Sequence, residues 1–325
     1  MRTYVQKETL LQGSTFEKDV IRGLQATPKY LQSKYFYNKE GDRLFQKIMH
    51  CPEYYLTDCE LEIFKEQSEQ IIQLCQNQIG QFDIVELGAV DAFKSKYLLK
   101  AYQNIDSEFT YFPIDISQNI IRTLENKLPE AIPQLKIHGY TGEYLSMLSL
   151  LQQERKSERK KLVLFLGSSL GNMNYREGIQ FLNKVRNILK PGDLLLLGLD
   201  LVKKPEIILC AYNDKEGYTK AFNLNLLERI NRKLGGNFHL DCFAHFPTYD
   251  IENKACKSYL ISLVAQQVQI GNHLIHFQER ETIHMETSQK YDSESIRTMM
   301  NESNFTFIDY FYDSKKWFVD TLWLV

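Results

Sequence analysis

The sequence predicts an α/β protein in which a doubly wound, mostly parallel sheet is joined to a second lobe of the α+β type. The apolar run Leu162–Leu166 has the composition of a strand that is buried on both faces, and Phe82–Gly88 and Leu194–Leu199 also have strand patterns. Segments with helical spacing separate these runs, as the crossover connections between parallel strands require. After Asp200 this alternation ends, and longer strand patterns indicate the second lobe.

The first 80 residues predict mainly helices. Apolar residues have helical spacing from Val20 to Leu24 and again from Leu61 to Leu74. Two tyrosine-rich segments, Lys34–Asn38 and Pro52–Thr57, interrupt these patterns. Tyrosine pairs in loops most often serve packing, but their phenol groups also line pockets for polar small molecules.

The middle of the chain alternates strands with helices. The expected strands are Phe82–Gly88, Phe109–Ile116, Leu135–Gly139, Leu162–Leu166 and Leu194–Leu199. The helices between them are expected to open at Asp91, after the cap Ser117, and at Tyr175. This succession predicts that ligands bind at the carboxyl ends of the strands.

The turn Gly167–Asn172, which follows the fourth expected strand, is the strongest local signal of such a site. Its glycines allow close approach of the backbone to a ligand, and Ser168, Ser169 and Asn172 offer short polar groups. The alternative is that this segment only connects a strand tightly to a helix.

Two features at the neighbouring strand ends indicate an adenosine-type cofactor. Asp115 ends the second expected strand, where an acidic residue commonly accepts hydrogen bonds from a ribose. The turn after the first strand, however, has a single glycine, Gly88, where dinucleotide binders have two or three. S-adenosylmethionine (SAM), which has no phosphates to cradle, fits this turn better than NAD.

The last third of the chain predicts an antiparallel lobe and a closing hairpin. Expected helices are Pro205–Asn213, Tyr218–Leu234 and Ser293–Asn301, and expected strands are Phe238–Phe246, Ser258–Ile270, His273–Glu286, Phe305–Phe311 and Trp317–Leu324. The last two strands form a hairpin that finishes the sheet at its edge. We predict one domain from residues 80–200 and 292–325, and a substrate-binding lobe from residues 1–79 and 201–291.

Composition narrows the classes of function. The formal net charge is −2, and the basic cluster Arg155–Lys161 is interrupted, so we expect neither nucleic-acid nor membrane partners. The six cysteines contain no Cys-x-x-Cys pair and share no zinc-like spacing with histidines, so we expect reduced thiols and no metal. The N-terminal residues lack the apolar core of a signal peptide, and we expect a cytoplasmic monomer.

Several segments in the same order resemble one family, the SAM-dependent histidine Nα-methyltransferases of ergothioneine biosynthesis and their amino-acid N-methyltransferase relatives. The matching segments are Tyr35–Phe45, Pro52–Thr57, Glu86–Gly88 with Lys94, Asp115–Ser117, Phe165–Asn172, Tyr212–Asp214 with Phe222–Asn225, and Glu286–Tyr291. They span nearly the whole chain. The resemblance implies the class I (Rossmann-like) methyltransferase fold and SAM as the cofactor.

The resemblance also implies roles for individual residues. It assigns the cofactor to residues that surround the strand ends, namely Gly88, Lys94, Asp115, Glu143, Tyr144 and Gly167. It assigns an amino-acid substrate to Tyr54, Asn172, Tyr212, Glu286, Thr287 and Ser288. Because the amine must be neutral to attack, an acceptor for its proton is also expected, which Tyr37 or Tyr54, or an ordered water, could provide. The resemblance further implies three successive transfers to one nitrogen.

The implied substrate contacts also have a chemical interpretation. Asn172 and Tyr212 can donate hydrogen bonds to an α-carboxylate, while Glu286 can accept one from an imidazole N–H and Ser288 can serve the second nitrogen. The alternative for Glu286 and Ser288 is an ordinary exposed polar pair on one face of a strand.

Three positions depart from the family pattern. Val90 stands where the family usually has a second glycine, Phe93 replaces a polar residue, and Asp58 replaces a common arginine. Two alternatives therefore stay open. One is an N-methyltransferase of another amino acid, such as a tryptophan derivative, and the other is a degenerate binding module that has lost catalysis.

Overall fold

The structure is a computed structural model that describes residues 4–5, 15–106, 108–154 and 158–325. Residues 1–3 and 6–14, which include most of the N-terminal stretch that lacks a signal-peptide core, lie outside the described residues, as does the first part of the basic cluster, Arg155–Ser157. Contacts between Cα atoms divide the chain into two compact units. The first unit contains residues 4–5, 56–202 and 290–325, and the second contains residues 15–55 and 203–289.

The helices and strands have the following bounds. The helices are α1 (Thr15–Gln25), α2 (Lys39–Met49), α3 (Tyr55–Ile79), α4 (Ser95–Gln103), α5 (Gln118–Ala131), α6 (Tyr144–Glu154), α7 (Tyr175–Ile188), α8 (Pro205–Ala211), α9 (Tyr218–Leu234) and α10 (Ser293–Glu302). The strands are β1 (Tyr4–Val5), β2 (Lys29–Tyr30), β3 (Phe82–Leu87), β4 (Thr110–Asp115), β5 (Lys136–Ile137), β6 (Tyr140–Thr141), β7 (Lys160–Phe165), β8 (Leu194–Asp200), β9 (Phe243–Asp250), β10 (Ala255–Ser262), β11 (Gln266–Ile270), β12 (His273–Phe277), β13 (Thr282–Gln289), β14 (Thr306–Tyr312) and β15 (Phe318–Leu324).

The first unit is a doubly wound sheet with the strand order β1-β6-β4-β3-β7-β8-β15-β14. The strands from β1 to β8 pair in parallel, and β15 and β14 add an antiparallel hairpin at the edge. The chain builds outward from β3 through β4 on one side and through β7 on the other. The predicted fold class is confirmed, and the order reverses between β3 and β7, where ligands of such sheets bind.

Two local predictions in this sheet can be compared directly with the structure. The short strand expected at Leu135–Gly139 is present as β5 beside β4, and β6, which the sequence did not indicate, also pairs with β4. The helix expected at Asp91 begins at Ser95, since Gly88, Val90 and Ala92 all have positive φ angles and form an irregular turn first.

Helix α3 belongs to the first unit from Leu56 onward, whereas the sequence led us to group residues 1–79 with the second lobe. Its Ile63 and Phe64 are fully buried. Gln67 Nε2 donates to the carbonyl of Tyr312, and Glu62 accepts from the N–H of Ser314. These contacts tie the helix to the hairpin β14–β15, a long-range packing that its own periodicity does not reveal.

The second unit contains a four-stranded sheet, β2-β13-β10-β9, and the hairpin β11–β12. The two longest expected strands, Ser258–Ile270 and His273–Glu286, are each divided. Ser262 Oγ donates to the carbonyl of Val264, a local bond that ends β10, and Arg280 takes a positive φ before β13. The strand expected at Phe238 starts at Phe243 because a short 3₁₀ helix precedes it.

Within the described ranges, no helix is both long enough and apolar enough to cross a membrane. The six cysteines are free thiols.

Candidate active site

The carboxyl ends of β3, β4 and β7 bring the expected cofactor residues to one edge of the first unit's sheet. Gly88 follows β3 with a φ of 78° and Gly167 follows β7 with a φ of 68°. A Cβ atom on Gly88 would lie only 2.8 Å from the hydroxyl oxygen of Tyr144. Glycine is favoured there, because a side chain is disfavoured at this φ and a Cβ atom would displace the Tyr144 hydroxyl.

Asp115 ends β4 as a buried carboxylate. One of its oxygens accepts a hydrogen bond of 2.8 Å from the N–H of Ser117, the cap of α5, and its carbonyl accepts from the N–H of Gly142. Glu143, which follows Gly142 in the chain, is exposed. The carboxylate of Asp115 is therefore held in place by backbone bonds at the strand end.

Lys94 and Gly167 meet through a residue that sequence reasoning missed, Glu60 of α3. The Glu60 carboxylate is fully buried and accepts a 2.7 Å hydrogen bond from the N–H of Gly167. Its other oxygen accepts from Lys94 Nζ. Asp320 of β15 is also fully buried and faces the same carboxylate. Burial raises the pKa of Asp320, and the nearby charge of Glu60 raises it further.

Glu86 is a further buried acid on this edge. Burial raises its pKa to about 7, against the opposing effect of the Tyr111 hydroxyl, which donates to it at 2.5 Å. The sequence marks Glu60 only as an acidic residue within an otherwise apolar pattern, which usually indicates an exposed position, whereas Glu86 belongs to the matching segment Glu86–Gly88 but has no assigned role.

The turn after β7 uses most of its polar groups internally. Ser168, with a φ of 55°, accepts a hydrogen bond at Oγ from the N–H of Asp200, and Ser169 Oγ donates to the carbonyl of Leu166. Asn172 closes the 3₁₀ turn and is exposed. Of the three polar side chains predicted to be available here, Asn172 is the one that faces solvent.

The second unit brings Tyr212 and Ser288 together. Their hydroxyl oxygens lie 2.5 Å apart, and both residues are buried. The ring atom His245 Nε2 lies 2.9 Å from the carbonyl oxygen of Tyr212. Burial lowers the pKa of His245, so at neutral pH the ring is neutral and donates from Nε2 to that carbonyl.

Tyr37 and Tyr54 are parts of an aromatic cluster in the second unit. Phe45 connects them, with ring centroids 5.8 Å from Tyr37 and 6.4 Å from Tyr54. Tyr54 also makes an edge contact with Tyr212 at 6.3 Å, and Tyr37 one with Phe222 at 5.9 Å. The faces of aromatic rings attract cations such as ammonium groups.

Strand β13 separates the other expected substrate residues. Glu286 pairs with Ser258 and Ser288 pairs with Cys256 in the ladder to β10, so the two lie on one face. The side chain of Thr287 is on the opposite face, where His284 Nε2 lies 3.0 Å from its Oγ1. The structure does not bring Thr287 to Glu286 and Ser288.

Val90, the position that departs from the family's glycine, has a φ of 45°. A β-branched residue in this region is strained. The turn therefore keeps the backbone conformation that glycine favours, although the sequence has lost the glycine.

The groups of the first unit fit SAM. Gly88 provides close backbone approach, Asp115 provides an acceptor for ribose hydroxyls, and Lys94 provides an ammonium group for a carboxylate. No group of three or more His, Cys, Asp or Glu side chains in the described parts of the chain is arranged to hold a metal ion.

Comparison with known proteins identifies a family. A family model described as histidine-specific, SAM-dependent methyltransferase matches residues 16–325. The chain is 32% identical over 288 residues to a histidine N-alpha-methyltransferase of Mycolicibacterium smegmatis. The matched region covers 88% of this chain and 87% of that protein. Identity is 31% over 281 residues to the Mycobacterium tuberculosis protein of the same description, covering 86% and 85%. A 4-dimethylallyltryptophan N-methyltransferase of Claviceps fusiformis is 27% identical over 201 residues, or 59% of this chain and 56% of that protein.

Proposed function

We propose, on the premise that the chain belongs to the family of SAM-dependent, histidine-specific methyltransferases, that it transfers methyl groups to the α-amino group of L-histidine. The observation that carries the proposal is the 32% identity over 288 residues to a histidine N-alpha-methyltransferase, which extends through both units. Three successive transfers, which would give trimethylhistidine, are part of the proposal.

The first unit would bind the cofactor. When bound, SAM supplies a methyl group that is already activated by a sulfonium. Asp115 would hold ribose hydroxyls, Lys94 the cofactor's carboxylate, and Glu143 the adenine amino group. Gly88, Tyr144 and Gly167 would shape the backbone around it. Their task is orientation, since a displacement at an activated methyl needs alignment more than it needs a protein nucleophile.

Groups for the amino acid come mainly from the second unit. Ser288 and Glu286 would serve the two ring nitrogens of histidine, and Tyr212 would donate to its carboxylate. The amine must be neutral to attack. The phenol oxygen of Tyr37 or Tyr54, or an ordered water, would accept a hydrogen bond from it as its proton leaves.

The test is mass spectrometry of L-histidine incubated with the protein and SAM. We expect products that carry one, two and three added methyl groups, with the last accumulating. S-adenosylhomocysteine (SAH) should also raise the melting temperature, since it binds the folded state. If SAH stabilises the protein but no methylated amino acid is formed, the enzymatic proposal is rejected in favour of a binding module. The strained turn at Val90 is the observation that favours this alternative.

A second candidate is methylation of a tryptophan derivative, which the 27% identity to a 4-dimethylallyltryptophan N-methyltransferase favours. An indole N–H can also donate to Glu286. Competition between histidine, tryptophan and 4-dimethylallyltryptophan in one reaction decides between them, because the preferred substrate has the higher kcat/KM. A cytoplasmic location and a monomeric state stay predictions.

A further inference from the structure

We propose that Glu60 is a positioning residue for cofactor binding, and that Asp320 holds it in place through a shared proton. The inference rests on the proposed assignment of Lys94 and Gly167 to the cofactor. Glu60 does not itself contact the cofactor in this proposal. It acts by fixing two groups that do.

Glu60 connects three elements that are distant in sequence. It lies on α3, accepts the N–H of Gly167 after β7 at 2.7 Å, and pairs with Lys94, which precedes α4. The carboxylate is fully buried, whereas the Lys94 side chain is 18% exposed. The ammonium group therefore lies at the border of the interior, and after one bond to Glu60 it keeps two N–H donors for a ligand.

Asp320 supplies the second part of the argument. It is fully buried, and neither of its carboxyl oxygens accepts a hydrogen bond from a donor group in the described residues. Gly198 of β8 provides the space in which the two acids meet. A Cβ atom there would lie 2.3 Å from Glu60 Oε1 and 3.1 Å from Asp320 Oδ1.

The charge of this cluster requires a proton. Two buried carboxylates with one ammonium group would leave an uncompensated negative charge in the interior, which is strongly unfavourable. One proton between Asp320 and Glu60 removes that charge and satisfies Asp320 as a donor. The raised pKa of Asp320 agrees with this arrangement. Glu60 then stays ionised, with Gly167, Lys94 and Asp320 all donating to it.

This arrangement predicts different effects for the two acids. Glu60→Gln replaces the ionised acceptor and releases Lys94, so it should weaken SAH binding about tenfold or more. Asp320→Asn retains the shape and the donor of a protonated acid and should bind SAH within about threefold of the wild type. Asp320→Leu retains approximate volume but has no donor, and should bind SAH as weakly as Glu60→Gln.

The experiment is calorimetric titration of the full chain with SAH, followed by measurement of KM for SAM and kcat. Glu66→Gln, an exposed position on the same helix, is the matched control and should behave as the wild type. In Glu60→Gln we expect KM for SAM to change by a larger factor than kcat. If Glu60→Gln does not fold, the contrast between Asp320→Asn and Asp320→Leu decides.

Wild-type affinity for SAH in Glu60→Gln, or equal affinities in the two Asp320 variants, would overturn the proposal. Because SAH binding needs no amino acid, the result is separate from the proposed function. If the wild-type protein binds SAH but methylates no histidine, the proposed function is rejected. The role of Glu60 is then still decided by the same titrations.

Discussion

The hydroxyl groups of Tyr212 and Ser288 lie 2.5 Å apart in the interior of the second unit, and either can be the donor. Because His245 also binds the carbonyl of Tyr212, the tyrosine is held from its backbone as well as from its side chain. If a ligand binds one hydroxyl, that contact therefore determines whether the other hydroxyl can donate its own proton. The pair can present one donor and one acceptor, which matches a group such as a carboxylate beside a ring nitrogen.

The first prediction concerns this coupling. Tyr212→Phe and Ser288→Ala should each raise KM for histidine about tenfold, since each removes one proposed substrate contact and the hydrogen bond between the two hydroxyls. The double variant should be less impaired than the sum of the single effects, because the second substitution removes a group that the first has already disturbed. Steady-state kinetics of the four proteins measure this, and full additivity would show that the two hydroxyls act independently.

Glu286→Ala should impair the use of histidine far more than the binding of SAH. Glu286 lies on the same face of β13 as Ser288, and its removal takes away the proposed acceptor for an imidazole N–H. We expect kcat/KM for histidine to fall at least about a hundredfold, as when a charge-assisted bond is lost. Glu286→Gln should recover part of this.

Thr287→Val is the matched control for that measurement. It changes the neighbouring position on the opposite face of the same strand and should leave kcat/KM for histidine unchanged. Equal losses of histidine use and SAH affinity in Glu286→Ala would show that Glu286 has a structural role instead.

Val90→Gly should stabilise the protein. Val90 has a φ of 45°, which is unfavourable for a β-branched residue and open to glycine. Relief of this strain should exceed the added entropy of the unfolded chain and raise the free energy of unfolding by about 1 kcal/mol. Denaturation with urea measures it. The control Ala89→Gly relieves no positive φ and should destabilise, and a loss of stability in Val90→Gly would contradict the strain argument.

How far the sequence predicts the structure depends on how many residues encode an element. Strand β7 was predicted because five apolar residues in succession, Leu162–Leu166, indicate burial on both faces, and β3 and β8 because short, mainly apolar runs end beside a glycine or a helix signal. Strand β6 contains two residues, too few for any period to be recognised. The membership of α3 in the first unit depends on contacts with β14 and β15, which lie more than two hundred residues later in the chain.

The same limit applies to the candidate site. Asp115 and Gly167 were predicted because a strand end is a recognisable place for a ligand. Glu60 and Asp320 were not, since a carboxylate in an amphipathic helix or in a hairpin expected at the sheet edge is ordinarily exposed, whereas β15 lies between β8 and β14. Their burial is a property of the folded cluster around Gly198, where elements from three parts of the chain meet. Strand alternation places the side chain of Thr287 on the face opposite that of Ser288. The family resemblance nevertheless assigns both residues to the substrate.

The last prediction is a pH dependence of stability that originates at Glu86. Burial raises its pKa from 4.5 to about 7 in the folded protein. Because the folded state holds the proton more tightly, the contribution of Glu86 is fully present below pH 4.5 and is lost as the pH rises through 7. The loss amounts to about 3 kcal/mol between these limits.

Glu86→Gln resembles the protonated acid and cannot ionise, so it should remove this loss. We expect the wild type and Glu86→Gln to have similar free energies of unfolding at pH 5, and the variant to be more stable by about 2 kcal/mol at pH 8. Urea denaturation at both pH values measures the difference, and other titrating groups cancel because both proteins contain them. The exposed control Glu66→Gln should follow the wild type, and parallel curves for Glu86→Gln and the wild type would mean that Glu86 is ionised in the folded state throughout this range.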